Sequence, residues 1–354
     1  MTSLTIVIPS YNSEKTLERA VRGLDEFSDK LEVIIVNDGS KDKTEEIASS
    51  LVERYPFIKL INQENKGHGG AINTGLCHAS GTWFKVLDSD DRLEVNGLRE
   101  FFNIIEKKQD IADQCDMIMM DFVYEFLQDK NISNRARAKK KFYIDEDGAR
   151  YKLLNKTYKD IFVPETIVEW NKIENIKPKL ILMHALIYRT SFLKEIGIVL
   201  PEHVSYEDNL FVAIPQVSLK RFYYTPQILY RYFIGRDEQS VSLKSILRNK
   251  DKQNIVTKEY FRQIEIKYNQ SSGLRTYLID HGTRLVIMSY IAMAMIDGPT
   301  SLNKFNDELN SENPKLWSEV SKDIRYRIVR SISRLGCKFN SFLYKNVFKL
   351  LGFS

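Results

Sequence analysis

Short hydrophobic runs alternate with amphipathic segments over the first third of the chain. The hydrophobic runs predict buried strands at residues 4–9, 31–36, 57–61 and 82–87. The segments between them have helical spacing at about 14–27, 43–55 and 67–79. Buried strands that alternate with amphipathic helices indicate an α/β fold, with a mostly parallel central sheet covered by helices on both faces. Ligands of such sheets bind at the carboxyl ends of the strands.

The regular alternation stops after about residue 120. Residues from about 128 to 179 are polar and basic with little periodicity, and an insertion is predicted at about 123–179. Strand-like patterns return at 180–188 and 221–232, and helical spacing dominates from about residue 244. We therefore predict an α/β domain over residues 1–243 and a helical C-terminal region over residues 244–354.

Composition narrows the classes of function. The 354 residues are 43% hydrophobic, enough for a sizeable core, and a net charge of +5 does not indicate a nucleic-acid-binding protein. The three cysteines contain no CxxC pair, which argues against a disulfide framework and a thiolate zinc site. The N-terminus does not resemble a signal peptide, and the longest apolar stretch, at 285–296, is too short to span a bilayer. We expect a cytoplasmic protein.

Three carboxylates follow the predicted strand at 82–87. Asp88, Asp90 and Asp91 would repel one another there unless a cation occupies the site. A divalent ion at this position could bridge the phosphates of a nucleotide diphosphate and stabilise it as a leaving group. The alternative is a solvated turn before a helix that starts near Leu93, and the motif alone does not decide between the two.

Polar residues also follow the first two predicted strands. The Asp38 carboxylate can accept a hydrogen bond from the imide N–H of uracil or thymine, and Tyr11 can stack on the base. For the sequence NDGS at 37–40, an ordinary tight turn is the alternative.

A glycine-rich segment, residues 65–73, opens the helix predicted up to about residue 79. Its three glycines would let backbone amides approach phosphates, and Lys66 adds a positive charge. The segment lacks P-loop spacing, and no GxGxxG follows the first strand, so ATPase and NAD-binding functions lose support. His68 has no second histidine at ligand spacing and is expected to be an ordinary loop residue.

Two acidic residues, Glu207 and Asp208, open an apolar helical run. They can cap the helix N-terminus, where the helix dipole favours negative charge. One of them can instead act as a general base that removes the proton of an acceptor hydroxyl. Periodicity leaves both interpretations open.

Taken together, these segments resemble the family 2 glycosyltransferases, which are inverting enzymes of the GT-A fold, and in particular those of bacterial cell-surface polysaccharide synthesis. The matching segments are IPSYN (8–12), VNDGS (36–40), NKGHGGAINTG (65–75), LDSDD (87–91) and YEDNLF (206–211). Their order and separations carry the resemblance, which covers about residues 4–122 and 180–243.

The resemblance implies transfer of a hexose or N-acetylhexosamine from a nucleotide diphosphate-sugar, such as a UDP-sugar, to a glycan or lipid-linked acceptor. Asp208 would be the general base, Glu207 would orient it, and Asp90 would ligate Mn²⁺ or Mg²⁺. The implied donor-binding residues are Pro9, Tyr11, Asp38, Lys66, Gly67, Asn73, Asp88, Ser89, Asp91, Arg236 and Ser240. A sugar nucleotidyltransferase and an inactive nucleotide-sugar-binding scaffold are the competing hypotheses.

The segment from Arg325 to the C-terminus has the pattern of an amphipathic helix. Its apolar side is predicted to contain Ile328, Ile332, Leu335, Phe339, Phe342 and Leu343, and its basic side Arg327, Arg330, Arg334, Lys338, Lys345 and Lys349. Such a helix can lie on an anionic membrane, here the inner face of the cell membrane. The alternative is packing on the protein's own core or on a second copy of the chain in a homo-oligomer.

Overall fold

The computed structural model describes residues 2–127, 142–144, 150–234, 243–267 and 270–333. The chain divides into two compact units. The first comprises Met1–Glu169, Ile181–His203 and Leu219–Gln239, and the second comprises Trp170–Leu180, Val204–Ser218 and Ser240–Ser354. The second unit therefore takes two segments from within the predicted α/β domain.

In the described residues the first unit contains one eleven-stranded sheet. Its strands are β1 (Leu4–Ser10), β2 (Leu31–Asp38), β3 (Ile58–Gln63), β4 (Trp83–Val86), β5 (Arg92–Leu93), β6 (Met117–Leu127), β7 (Phe142–Ile144), β8 (Arg150–Lys156), β9 (Thr166–Glu169), β10 (Leu186–Arg189) and β11 (Arg221–Ile234). They lie in the order β3-β2-β1-β4-β10-β6-β11-β5, with β8 paired to β6, β7 to β8 and β9 to β11.

The predicted parallel sheet is confirmed in the four strands of the first third, β3-β2-β1-β4, which all run parallel. Every residue of β1 and β2 is buried, as expected for strands covered on both faces. Beyond β4 the sheet becomes mixed, because β10 is antiparallel to both β4 and β6, while β6 and β11 are parallel. Because β1, β2 and β4 are parallel, their carboxyl ends lie at the same edge of the sheet.

The helices of the first unit are α1 (Leu17–Val21), α2 (Thr44–Arg54), α3 (Gly67–His78), α4 (Val95–Lys107), α5 (Gln109–Gln114) and α6 (Thr190–Glu195). The prediction of a single helix at 14–27 is wrong. Gly23 adopts a left-handed φ of +80°, which ends α1, and a 3₁₀ helix follows at Leu24–Phe27. The turn also needs glycine because an added Cβ would lie 2.9 Å from Val95 Cγ2.

The described parts of residues 123–179 contribute strands to the sheet. β6 extends to Leu127, β8 pairs with it, and β9 pairs with β11. The sequence shows little periodicity here partly because all four residues of β9 are half-buried, so no alternation marks a buried face. Residues 128–141 and 145–149 lie outside the described residues.

The described part of the second unit is mostly helical. It contains α7 (Asp208–Ser218), α8 (Leu243–Arg248), α9 (Lys250–Gln263), α10 (Ser272–Ile296), α11 (Pro299–Glu312), α12 (Pro314–Val320) and α13 (Ile324–Ser333). Most of α10 is buried, and it packs against α9 and α13. No described helix has both the length and the apolar character needed to cross a membrane.

Only the first part of the predicted tail helix lies in the described residues, as α13. Its buried residues are Tyr326, Val329 and Ser333, and the Tyr326 hydroxyl lies 3.0 Å from that of Tyr290 on α10. Ile324 and Ile328 are exposed on α13. The remaining residues of the tail, 334–354, lie outside the described residues, so the membrane interpretation stays a prediction.

Candidate active site

Asp38, the last residue of β2, holds the start of α3 in place through hydrogen bonds. Its carboxylate accepts hydrogen bonds from the backbone N–H groups of Lys66 (2.8 Å) and Gly67 (2.9 Å) and from Gln63 Nε2 (2.7 Å). The side chain is only 2% exposed. A carboxylate has about four lone-pair sites, so three are already used in positioning the glycine-rich turn. Its predicted contact with a base stays a prediction.

The turn at Gly67 requires glycine. Its φ is +78°, and an added Cβ would lie 2.9 Å from the backbone nitrogen of His203. That same nitrogen donates a hydrogen bond to the Lys66 carbonyl at 2.7 Å. The Lys66 ammonium is half exposed and lies 3.6 Å from the Glu202 carboxylate. The chain before α3 is thereby held against the segment that ends at His203.

The other predicted donor-binding residues near β1 and α3 have different surroundings. Pro9 is buried in β1, whereas Tyr11, just past its end, is 52% exposed. The Asn73 side chain donates to the Leu200 carbonyl at 2.8 Å and accepts from the Leu200 N–H at 2.9 Å. Asn73 therefore holds α3 to the neighbouring loop, and its contact with a donor stays a prediction.

Asp88 follows β4 at the same edge of the sheet. Its Oδ1 lies 2.9 Å from His68 Nε2, and its Oδ2 accepts from the Tyr230 hydroxyl at 3.3 Å. Burial raises the pKa of Asp88, but the hydrogen bond and charge of His68 bring it below its ordinary value. The neighbouring Ser89 hydroxyl lies 2.7 Å from the Ser13 hydroxyl, which ties this turn to the chain after β1.

Asp91 is fully buried and is held by β11. Its carboxylate accepts from the Tyr230 hydroxyl and from the Phe233 N–H, both at 2.7 Å. Burial, followed by the charges of Asp90 and Asp88, raises the pKa of Asp91 well above its ordinary value. Asp90 is half-buried in the same turn. The expected crowding of carboxylates is thus present, and it is the condition that a bound cation would relieve.

His184 joins this cluster, although no sequence pattern pointed to it. It lies in the 3₁₀ turn Met183–Ala185 and is 6% exposed. The ligand atoms of Asp88, Asp91 and His184 all lie within 4.8 Å of one another, the one such set of three or more metal-ligating side chains in the described residues. Burial lowers the pKa of His184 to about 4, so the imidazole is neutral at pH 7.

Lys85, in the middle of β4, fixes the turn that carries His184. Its fully buried ammonium donates to the carbonyls of Met183 (3.0 Å), His184 (2.7 Å) and Leu186 (3.1 Å). Burial lowers the pKa of Lys85 to about 7, against the opposing charge of Asp88. All three ammonium protons are used, so the backbone around His184 is attached to the strand that leads to Asp88.

These side chains fit a divalent ion. Two carboxylates and a neutral imidazole are ligands of first-row divalent metals. His184 Nδ1 is buried without a hydrogen-bond partner among the described residues, which leaves one polar atom of the cluster unsatisfied. Asp90 does not belong to this set of three side chains, and its role as a metal ligand stays a prediction.

The predicted base belongs to the second unit. Asp208 is the first residue of α7, is half-buried, and its Oδ1 accepts from Asn209 Nδ2 at 3.2 Å. Glu207 is buried. A carboxylate in the first turn of a helix is favoured by the helix dipole, so both the capping and the general-base interpretations still apply. Arg236 and Ser240 lie outside the described residues.

The N-terminal part of the chain is similar to a known protein family. Residues 5–160 match the family model described as Glycosyl transferase family 2. This stretch, called the family 2 segment, makes up less than half of the chain. The family 2 segment contains Asp38, the glycine-rich turn and the Asp88–Asp91 cluster, whereas His184 and Asp208 lie beyond it.

Curated relatives match over part of their length. The family 2 segment is similar to dolichyl-phosphate beta-glucosyltransferase ALG5A of Trichomonas vaginalis, at 37% identity over 118 residues, which is 30% of this chain and 34% of that protein. It is also similar to glycosyltransferase GlyA of Streptococcus pneumoniae, at 36% identity over 111 residues, 31% of this chain and 16% of that protein. The chain thus spans about a third or less of these relatives.

The similarity to a solved structure covers nearly the whole chain. Residues 1–349 of Staphylococcus aureus TarS, in complex with UDP-GlcNAc, superpose with a TM-score of 0.61. The match covers 94% of this chain and 92% of that one at 18% sequence identity. At this identity the similarity concerns the fold, and the predicted α/β fold of the GT-A type with C-terminal helices is confirmed.

Proposed function

We propose that the chain is an inverting glycosyltransferase that moves a hexose or N-acetylhexosamine from a UDP-sugar to a hydroxyl of a glycan or lipid-linked acceptor. The contact between His68 Nε2 and Asp88 Oδ1, 2.9 Å apart, carries the proposal. It brings the glycine-rich start of α3 next to the carboxylates after β4. A helix N-terminus attracts phosphate, and carboxylates can hold a metal that bridges phosphates, so the two together suit a diphosphate.

The adjoining loops support a pocket for the base. The Asn12 N–H donates to Ser40 Oγ at 3.1 Å, and Asn12 Oδ1 accepts from the Lys41 N–H at 2.8 Å. The loop that contains the exposed Tyr11 is therefore bonded to the loop that follows Asp38. An aromatic ring on one loop and an acceptor-only carboxylate at the start of the other would suit the flat ring and imide N–H of uracil.

The chemistry follows from the proposed roles. Asp208 takes the proton of the acceptor hydroxyl, whose oxygen forms a bond to the anomeric carbon from the face opposite the diphosphate. The bond to the diphosphate oxygen breaks, its electron pair leaves with the diphosphate, and the anomeric configuration inverts. Glu207 orients Asp208 or the acceptor.

A divalent metal, Mn²⁺ or Mg²⁺, would be held by the carboxylates of Asp88, Asp90 and Asp91. Bound there, it supplies positive charge that stabilises the leaving diphosphate. Tyr230 hydrogen-bonds both Asp88 and Asp91, and the Phe233 N–H also bonds Asp91. These contacts orient the carboxylates before any ligand arrives.

The choice of substrates draws on the relatives. The TarS complexes contain UDP-GlcNAc and UDP, which supports a UDP-sugar donor. TarS and GlyA come from bacteria, in keeping with the proposed role in bacterial surface polysaccharide synthesis. The name of ALG5A includes dolichyl phosphate, which supports a lipid-linked acceptor. Such an acceptor would be met at the inner face of the membrane.

The donor half of the proposal is tested by calorimetric titration of UDP with and without Mn²⁺. We expect tight binding with Mn²⁺ and much weaker binding in excess chelator, because the carboxylates repel the diphosphate. Asp91→Asn should reduce the Mn²⁺ dependence, whereas Asp25→Asn, an exposed aspartate of the same unit, should not. Equal UDP affinity in chelator would contradict the metal role.

The catalytic half is tested with Asp208→Asn. The amide keeps the size of the side chain but cannot take a proton at pH 7, so UDP affinity should stay within about twofold while turnover of the UDP-sugar falls by at least about 100-fold. Asp307→Asn, at an exposed position of the same unit, is the matched control. Turnover within a few-fold of wild type would assign Asp208 to helix capping alone.

A further inference from the structure

We propose that His184 is a nitrogen ligand of the active-site metal, and that it gives the site a preference for transition metals over Mg²⁺. This inference rests on the proposed function and refines it, since a site made of the aspartates alone would offer only oxygen. His184 lies 93 residues beyond Asp91 in the sequence and outside the matched family segment.

The three ligand atoms already lie close together. One ring nitrogen of His184 and one carboxylate oxygen from each of Asp88 and Asp91 lie within 4.8 Å of one another. Ligand atoms around one first-row ion, each about 2.0–2.2 Å from it, are separated by distances of roughly 3–4 Å. Small side-chain adjustments would therefore bring the three groups to one ion.

The imidazole has an unsatisfied nitrogen. His184 is more than nine-tenths buried, yet its Nδ1 has no hydrogen-bond partner in the described part of the chain. A buried polar atom without a partner is costly, and a bound ligand is one of the few reasons to keep it. A histidine kept only for packing would more cheaply be an apolar residue.

The ring is also held in place. It stacks on Tyr230 with ring centroids 4.6 Å apart, and its centroid lies 4.3 Å from that of Tyr232. The Tyr230 hydroxyl also bonds Asp91, and Lys85 binds the carbonyl of His184 itself. The histidine and the carboxylates thus share an orienting side chain, Tyr230, as expected for a single site.

The expected consequence is metal selectivity. Mg²⁺ prefers oxygen ligands in octahedral geometry, whereas imidazole strengthens binding of later first-row ions. The wild-type protein with UDP should bind Co²⁺ and Mn²⁺ more tightly than Mg²⁺. In His184→Gln the Co²⁺ affinity should fall by at least about 10-fold, while the Mg²⁺ affinity should change by less than about threefold. His68→Gln, which alters the other histidine near Asp88, should not change this ratio.

The decisive experiment is pulsed electron paramagnetic resonance of Mn²⁺ bound to the full-length wild-type chain in the presence of UDP. We expect a directly coordinated ¹⁴N signal that becomes a ¹⁵N signal when the protein is made with ¹⁵N-histidine. The signal should persist in His68→Gln and vanish in His184→Gln. Because the isotope test uses wild-type protein, it does not depend on either variant folding.

The outcomes separate this inference from the proposed function. Bound Mn²⁺ with no histidine nitrogen coupling would overturn the role of His184 and leave the glycosyltransferase proposal intact. Coupling that persisted in a folded His184→Gln protein would overturn that role in the same way. Failure of Mn²⁺ to bind at all in the presence of UDP would instead contradict the metal-dependent function, and with it this inference.

Discussion

Asp38 offers a sharp test of how the donor site is built, because its carboxylate holds the glycine-rich turn through three hydrogen bonds. In Asp38→Asn one oxygen can still accept from Gln63 and Lys66, but an amide group would then face the Gly67 N–H, whose bond to Asp38 Oδ2 is 2.9 Å long. A hydrogen bond to a charged acceptor contributes about 1.5–3 kcal/mol, so we expect a loss of about 2 kcal/mol. Asp38→Ala removes all three bonds and should cost at least twice as much.

Denaturant unfolding at pH 7 measures the loss in free energy of unfolding in each variant. Amide hydrogen exchange shows which part of the chain is destabilised. Exchange at Lys66 and Gly67 should accelerate in Asp38→Asn more than exchange in β1. Asp25→Asn, exposed in the same unit, should change stability by less than about 0.5 kcal/mol. An Asp38→Asn variant as stable as wild type, with unchanged exchange at these two amides, would refute this role of Asp38.

Other parts of the chain give three more predictions. Burial raises the pKa of Glu32, but hydrogen bonds led by the one from Lys59 lower it from 4.5 to about 2. The folded-state pKa is therefore below the unfolded one, so the stabilisation of about 3 kcal/mol is present above pH 4.5 and is lost as the pH falls towards 2. Unfolding of wild type and Glu32→Gln across this range should converge at low pH, and a constant difference would argue against the shift. Gly75→Ala would place a Cβ 2.3 Å from Val7 Cγ1 and should lower stability by about 1–3 kcal/mol in thermal unfolding, whereas no loss would show that α3 can move away from β1. Removing residues 334–354 should abolish sedimentation with anionic vesicles in low salt without changing UDP affinity, and full-length protein that ignores such vesicles would contradict a membrane role for the tail.

The first four strands could be predicted because each is a short, mostly apolar run, and helical spacing follows the first three. The break at Gly23 could not, because its left-handed φ and its closeness to Val95 depend on the packing of α4. The pairing of β10 between β4 and β6 joins segments about 70 to 100 residues apart in the sequence, and local periodicity contains no information on such pairing.

In the candidate site, too, some residues could be predicted from the sequence and others could not. Asp38, Asp88 and Asp91 could be proposed from the sequence because each lies at or just beyond the end of a strand, at the edge where parallel sheets bind ligands. His184 gave no signal, since no second ligand lies at helical or turn spacing from it. For Lys85, by contrast, the sequence does contain a signal. A single charged residue inside the buried strand WFKV needs partners, and the structure supplies three carbonyls.

The most direct test of the proposed function is the release of nucleoside diphosphate from a panel of nucleotide-sugars in the presence of Mn²⁺. We predict slow release of UDP from a UDP-sugar without added acceptor, its loss in excess chelator and in Asp91→Asn, and its persistence in Asp25→Asn. The glycosyltransferase function would be contradicted if no nucleotide-sugar released its diphosphate, or if the protein instead made a nucleotide-sugar and pyrophosphate from a nucleoside triphosphate and a sugar phosphate.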